Sequence, residues 1–106
     1  MVNWERVGEL RSDFGDEDFN EIVSLFLSEV EERLGCLRKD DPADLKDDLH
    51  FLKGSAANLG FDRFRSECQD LERDPARFDL AALTQVYTAS KAEFLSGCAK
   101  QGLVAT

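Results

Sequence analysis

The sequence predicts an all-α domain: an antiparallel four-helix bundle with a short N-terminal lid helix. Three observations lead there. Apolar residues recur at three- and four-residue spacing along almost the whole chain, and no stretch alternates as a strand would. The two prolines, Pro42 and Pro75, both fall between periodic segments, and most glycines stand at segment ends. Short links join segments of similar length, which favours antiparallel neighbours.

The first segment spans about Trp4 to Phe14. Asn3 is placed to cap it, and Val2 and Val7 to staple its entry. Trp4, Val7, Leu10 and Phe14 share helical spacing, with Trp4 as the lid's anchor on the bundle end. Gly15 stops this segment and Asp16 caps the next. The second segment, about Glu17 to Lys39, carries one stripe of Phe19, Ile22, Val23, Phe26, Val30, Leu34 and Leu37. Its charged residues lie largely off the stripe, and basic residues gather toward its C-terminal end. The third runs from Pro42 to Leu59, with Asp41 as cap, Pro42 as first helical residue and Leu45, Leu49, Leu52, Ala56 and Leu59 facing the core. Gly60 ends it. The fourth, about Phe61 to Arg73, buries Phe61, Phe64, Cys68 and Leu71, and Asp74-Pro75 closes it. The fifth, from Leu80 to about Ala99, is capped by Asp79, stapled by Phe78 and Leu83, and turns Leu80, Leu83, Tyr87, Phe94 and Cys98 inward.

Residues 1–106 are expected to form one domain with a core from about 4 to 99 and a frayed tail at Lys100–Thr106. The apolar share of 42% suffices for one core without a disulfide or metal staple. Three widely spaced cysteines, Cys36, Cys68 and Cys98, argue for a reducing cytoplasm and are read as small core residues. A net charge of −9 makes nucleic acid and anionic membranes poor partners. No apolar run is long enough to span a bilayer, and the N-terminus shows no secretory pattern. The acidic cluster Asp40, Asp41, Asp44, Asp47 and Asp48 reads as a cap plus a solvated helix start.

Chemistry must be small and local. With one histidine and no CxxC there is no metal site to build, and with no glycine-rich phosphate loop there is no means of holding a nucleotide; no cofactor is expected. That histidine, His50, points about 140° from the centre of its core stripe at 100° per residue. Lys53 lies one turn on, and Gly54 and Ala57 share its face. A neutral imidazole is a competent nucleophile near pH 7. A phosphoryl group on it would bring about two negative charges that Lys53 could neutralise. Gly54 costs about 1 kcal/mol against alanine in a helix. Either it admits a neighbouring helix or it clears the way to the imidazole for another protein.

The stretch His50-Phe51-Leu52-Lys53-Gly54-Ser55-Ala56-Ala57-Asn58-Leu59-Gly60 closely resembles the signature of histidine phosphotransfer (HPt) domains, H-x-L-K-G-S-[SA]-x-x-[LI]-G. The run from Phe61 to Glu72 is similar to the helix that follows it in that family, and Tyr87-Thr88-Ala89-Ser90 to part of the last helix. The resemblance covers about residues 5–97. At roughly 5% usage per residue type, the four letters of H-x-x-K-G-S arise by chance on the order of once per thousand chains this long.

The resemblance implies a phosphoryl carrier of a multistep phosphorelay, loaded on His50 from the aspartate of one receiver domain and unloaded onto another. Lys53 matches the phosphate-neutralising position and Gly54, with Ala57, the access and docking position. Ser55 and Phe51 read as packing residues. Lys46, Asp47, Phe51 and Leu25 surround the histidine face, and Gln69 and Arg65 could reach the phosphate from the next helix. The chain would be no enzyme itself, because receivers supply the aspartate and a divalent cation. Its partners would be response-regulator receiver domains and a hybrid histidine kinase, its state monomeric and its place the cytoplasm. Two alternatives stay open: the phospho-accepting module of a chemotaxis-type kinase, and a helical adaptor that binds receivers or kinases without being phosphorylated. A metal-binding bundle is disfavoured by the single histidine.

Overall fold

The structure, a computed structural model, describes residues 2–37 and 42–100. Among these residues four helices follow in order: α1 Trp4–Gly35, α2 Pro42–Leu59, α3 Asp62–Arg73 and α4 Leu80–Lys100, with a 3₁₀ turn at Pro75–Arg77 before the last. The body is elongated, 42 × 19 × 19 Å. The expected cap at Asp41 and the tail beyond Lys100 lie outside the described residues.

The lid and the second segment form one helical run broken at Gly15, whose φ of 79° and ψ of 164° interrupt α1. Only glycine takes that conformation at little cost. Arg11 Nε donates to Asp16 Oδ1 across the break at 2.7 Å. Asn3 caps α1 as expected, its side chain accepting from Arg6 N–H. Beyond the break, α1 ends at Gly35 with Cys36 as C-cap, earlier than the periodicity to Lys39 suggests.

The lid is tied to the corner between α2 and α3. Asn3 N–H donates to Gly60 O at 2.7 Å, Arg6 Nε donates to Asn58 O, and Val2 bridges Phe61. Gly60 has φ 78°, and a Cβ there would come within 2.7 Å of Asn3 O, so the turn that ends α2 admits only glycine. At the same end the Trp4 ring stacks on Phe94, their centroids 6.0 Å apart, and a Cβ on Gly97 would run into the indole.

The core follows the stripes closely. Leu45, Leu49, Leu52, Ala56 and Leu59 of α2 are buried, as are Phe61, Phe64, Cys68 and Leu71 around α3. Phe61, Phe64, Tyr87 and Phe94 meet ring on ring between α3 and α4. Three expectations need correction. Phe14 is 44% exposed beside the break at Gly15, and Leu80 is 40% exposed as the first residue of α4; at neither point do the neighbouring helices give cover. Cys36, the C-cap of α1, is exposed rather than buried. Leu27, omitted from the α1 stripe, is fully part of the core, whereas Ile22 and Phe26 flank it partly buried.

Candidate functional site

The burial of Leu49 and Leu52 fixes the rotation of α2 and turns His50 outward, with its side chain 75% exposed. Around it the helix carries little bulk. Gly54 is exposed, and a Cβ built on it finds nothing within 4 Å. Ala57, a turn further on, is also exposed. Of the two readings of Gly54, close helix packing is therefore excluded; the glycine leaves open space beside the imidazole.

One residue of the site went unassigned in the sequence. Glu72 reaches over from α3 with its side chain only 15% exposed. Its Oε2 accepts from Lys53 Nζ at 3.1 Å, and its Oε1 lies 3.4 Å from His50 Nδ1. That second contact lacks hydrogen-bond alignment, so Oε1 is a buried acceptor without a donor. Leaving such an oxygen unsatisfied is costly, and a proton on Nδ1, 3.4 Å away, would give it a donor. The carboxylate thus favours the tautomer with hydrogen on Nδ1 and the lone pair on Nε2. The available signal was position: Glu72 falls four residues after Cys68, at the edge of the α3 stripe where that helix meets α2.

Lys53, 27% exposed, is held by this carboxylate one turn from His50. Lys46 and Asp47 stand exposed on α2 one turn before His50. Gln69 and Arg65 lie on α3, joined by Arg65 Nη1 to Gln69 Oε1 at 3.4 Å, and the structure shows no contact from either to His50. Phe51 is half-buried under the Arg33 guanidinium, 4.1 Å from the ring centroid. Arg33 Nη1 also donates to Asp48 Oδ1 at 2.8 Å. Asp48 is therefore a seam residue between α1 and α2, not part of a solvated helix start as expected; antiparallel packing brings Arg33 against it. Leu25, on the α1 side, is 50% exposed, and Ser55 is buried as a packing residue.

Among the described residues no group of three or more His, Cys, Asp or Glu side chains could hold a metal ion, and no helix is long and apolar enough to cross a membrane. An outward imidazole backed by a carboxylate and a lysine, with open space beside it, suits nucleophilic group transfer to and from a second protein.

Comparison with known proteins agrees. The Hpt domain model matches residues 5–93, and the chain belongs to that family, a family of phosphotransfer modules. It is 32% identical to the phosphorelay protein LuxU of Vibrio cholerae serotype O1 over 75 residues, 67% of this chain and 66% of that one. It is 30% identical to the phosphorelay protein LuxU of Vibrio harveyi over 67 residues, 59% of each chain. The aligned stretch thus spans just under two thirds of these relatives' own length at most. No solved structure matches the chain.

Proposed function

We propose that this chain is a histidine-containing phosphotransfer protein of a multistep phosphorelay, carrying phosphoryl groups on His50 between receiver-domain aspartates. The observation that carries the reading is the exposed His50 with Nδ1 turned to the Glu72 carboxylate and open space at Gly54. In the loading step the Nε2 lone pair attacks phosphorus, the N–P bond forms, and the bond from phosphorus to the aspartyl oxygen breaks, returning that carboxylate to the receiver. Unloading is the reverse reaction on a second receiver. The N–H on Nδ1 stays against Glu72 throughout, and the positive charge gained by the phosphorylated ring is offset there.

Lys53 offsets phosphoryl charge, while Gly54 and Ala57 admit the receiver. Lys46, Asp47 and Gln69 are contacts at the rim. On this reading the chain supplies a nucleophile and its setting, the receivers bring the aspartate and the cation, and the chain is a carrier rather than an enzyme, fed by a hybrid histidine kinase through receiver domains. It acts as a cytoplasmic monomer, consistent with three free cysteines and a core closed within one chain. The experiment is incubation with a panel of purified, phosphorylated receiver domains. Label that transfers, is lost in acid and survives alkali supports an N–P bond; acid-stable label, or none from any receiver, overturns the reading.

A further inference from the structure

The charges around His50 are sorted by side. The Arg33–Asp48 pair marks the edge of α2 that faces α1, and the Lys53–Glu72 pair marks the edge that faces α3. At about 100° per residue, Asp47 stands toward the first edge and Lys46 toward the second, each within about 60° of His50. Both are exposed. On α1, Glu29 lies one turn before Arg33, and Glu32, its neighbour in sequence, about 100° around the helix from it; both are exposed. On α3, Arg73 follows Glu72, and Arg65 lies two turns before it, exposed and half-buried respectively.

His50 and the opening at Gly54 therefore separate an acidic flank of Asp47, Glu29 and Glu32 from a basic flank of Lys46, Arg65 and Arg73. The charges nearest the seams do not blur this division, since Arg33 is paired with Asp48 and Glu72 with Lys53. Among the described residues, the exposed acids of this side lie off the face: Asp62 sits at the far end of α3, Asp70 stands about 160° around that helix from Glu72, and Asp74 follows its C-terminal end. A chain of net charge −9 calls for a basic partner. The basic flank departs from that, on the side of His50 where Lys53 stands.

We propose that this face takes a receiver domain polarised in the opposite sense, basic residues meeting Asp47, Glu29 and Glu32, acidic residues meeting Lys46, Arg65 and Arg73. The proposal rests on the phosphoryl-carrier reading and adds how the partner is oriented. A uniformly charged face attracts a partner without choosing its rotation. A polarised face favours one rotation and sets like charges together in the half-turned alternative. The receiver then arrives with its aspartate already aimed at Nε2.

The test uses the full chain and whichever receiver of the purified panel labels the wild type most rapidly. Two double variants reverse one flank each: Glu29→Lys with Glu32→Lys, and Arg65→Glu with Arg73→Glu. Each should lower kcat/KM for transfer by about tenfold or more at low salt, mainly through KM, and the losses should shrink as ionic strength rises. If a reversal unfolds the chain, the glutamine versions at the same positions should show a smaller loss in the same direction. A loss from the acidic flank alone would mean a uniformly basic partner and overturn the proposal. So would an unchanged or raised kcat/KM from either variant. If no receiver labels the wild type, the carrier reading fails first and the orientation proposal falls with it.

Discussion

Glu72 Oε1 lies 3.4 Å from His50 Nδ1, a buried carboxylate oxygen set against an exposed imidazole on the neighbouring helix. The other oxygen holds Lys53 at 3.1 Å. One acid thus places both the nucleophile and the cation beside it, and what happens on its removal separates positioning from packing.

Glu72→Gln keeps the shape but lets the amide present either a donor or an acceptor to the imidazole. Glu72→Ala removes both contacts and frees Lys53. Transfer to Glu72→Ala should slow by about tenfold to a hundredfold, as expected for lost orientation of a reacting group. Glu72→Gln should be intermediate. Melting temperatures should move little, since Lys53 is partly exposed and can turn to water. Rapid-quench transfer with a parallel melt distinguishes the cases: a large stability loss with unaltered transfer would make Glu72 a packing residue.

Gly54 gives a change of opposite sign in stability and activity. Its Cβ position is open, so Gly54→Gln replaces a poor helix former at no steric cost within the chain. Stability should hold or rise by up to about 1 kcal/mol. The new side chain stands where the receiver approaches, and transfer should fall by about a hundredfold or more. Denaturant unfolding and the transfer assay on the same preparation check both halves.

The cysteines should differ sharply in reactivity. Cys36 is exposed, Cys68 and Cys98 are buried. Burial, reinforced by Glu72 and Glu67, pushes the Cys68 thiol up to about 12, and burial also raises Cys98. At pH 8 a thiol reagent should modify one cysteine per native chain, at Cys36, and three on unfolding. Peptide mapping after labelling identifies the site; rapid native labelling of Cys68 would mean that α3 does not pack as described.

On the far side of the bundle, Glu31 accepts from Lys91 Nζ at 2.6 Å and from Tyr87 Oη at 2.7 Å. Those hydrogen bonds, from Lys91 first and Tyr87 second, hold its carboxyl below the usual range. A depressed folded value means stability that is present above the unfolded pKa and lost as pH falls through the folded one. Glu31 is 45% exposed, so solvent screening keeps the effect small. Wild type should lose slightly more stability than Glu31→Gln between neutral and acidic pH, read from denaturant midpoints along a pH series.

The bundle was legible because burial is written in periodicity. Every residue of the α2 stripe is buried, and the outward direction of His50 follows from that stripe alone. The boundaries were less legible. Phe14 and Leu80 keep helical spacing to the ends of their segments, but cover there depends on where the neighbours stop. Glu72 and Asp48 were missed as partners for a related reason. Spacing within a helix says which face a residue occupies, whereas pairing between helices depends on their relative register. For Glu72, paired between α2 and α3, that register is set at the Gly60 turn, where the chain packs against Asn3, a contact made between residues far apart in sequence.

The most direct measurement is transfer from a phosphorylated receiver to wild type and to His50→Gln side by side. His50 is the sole histidine and its side chain is 75% exposed, so the substitution should leave the melt nearly unchanged. Wild type should take acid-labile, alkali-stable label that maps to His50, and His50→Gln should take none. Label of the same kind on a folded His50→Gln chain, or a folded wild type that no receiver can load, would contradict the assignment of His50 as the carrier of the phosphoryl group.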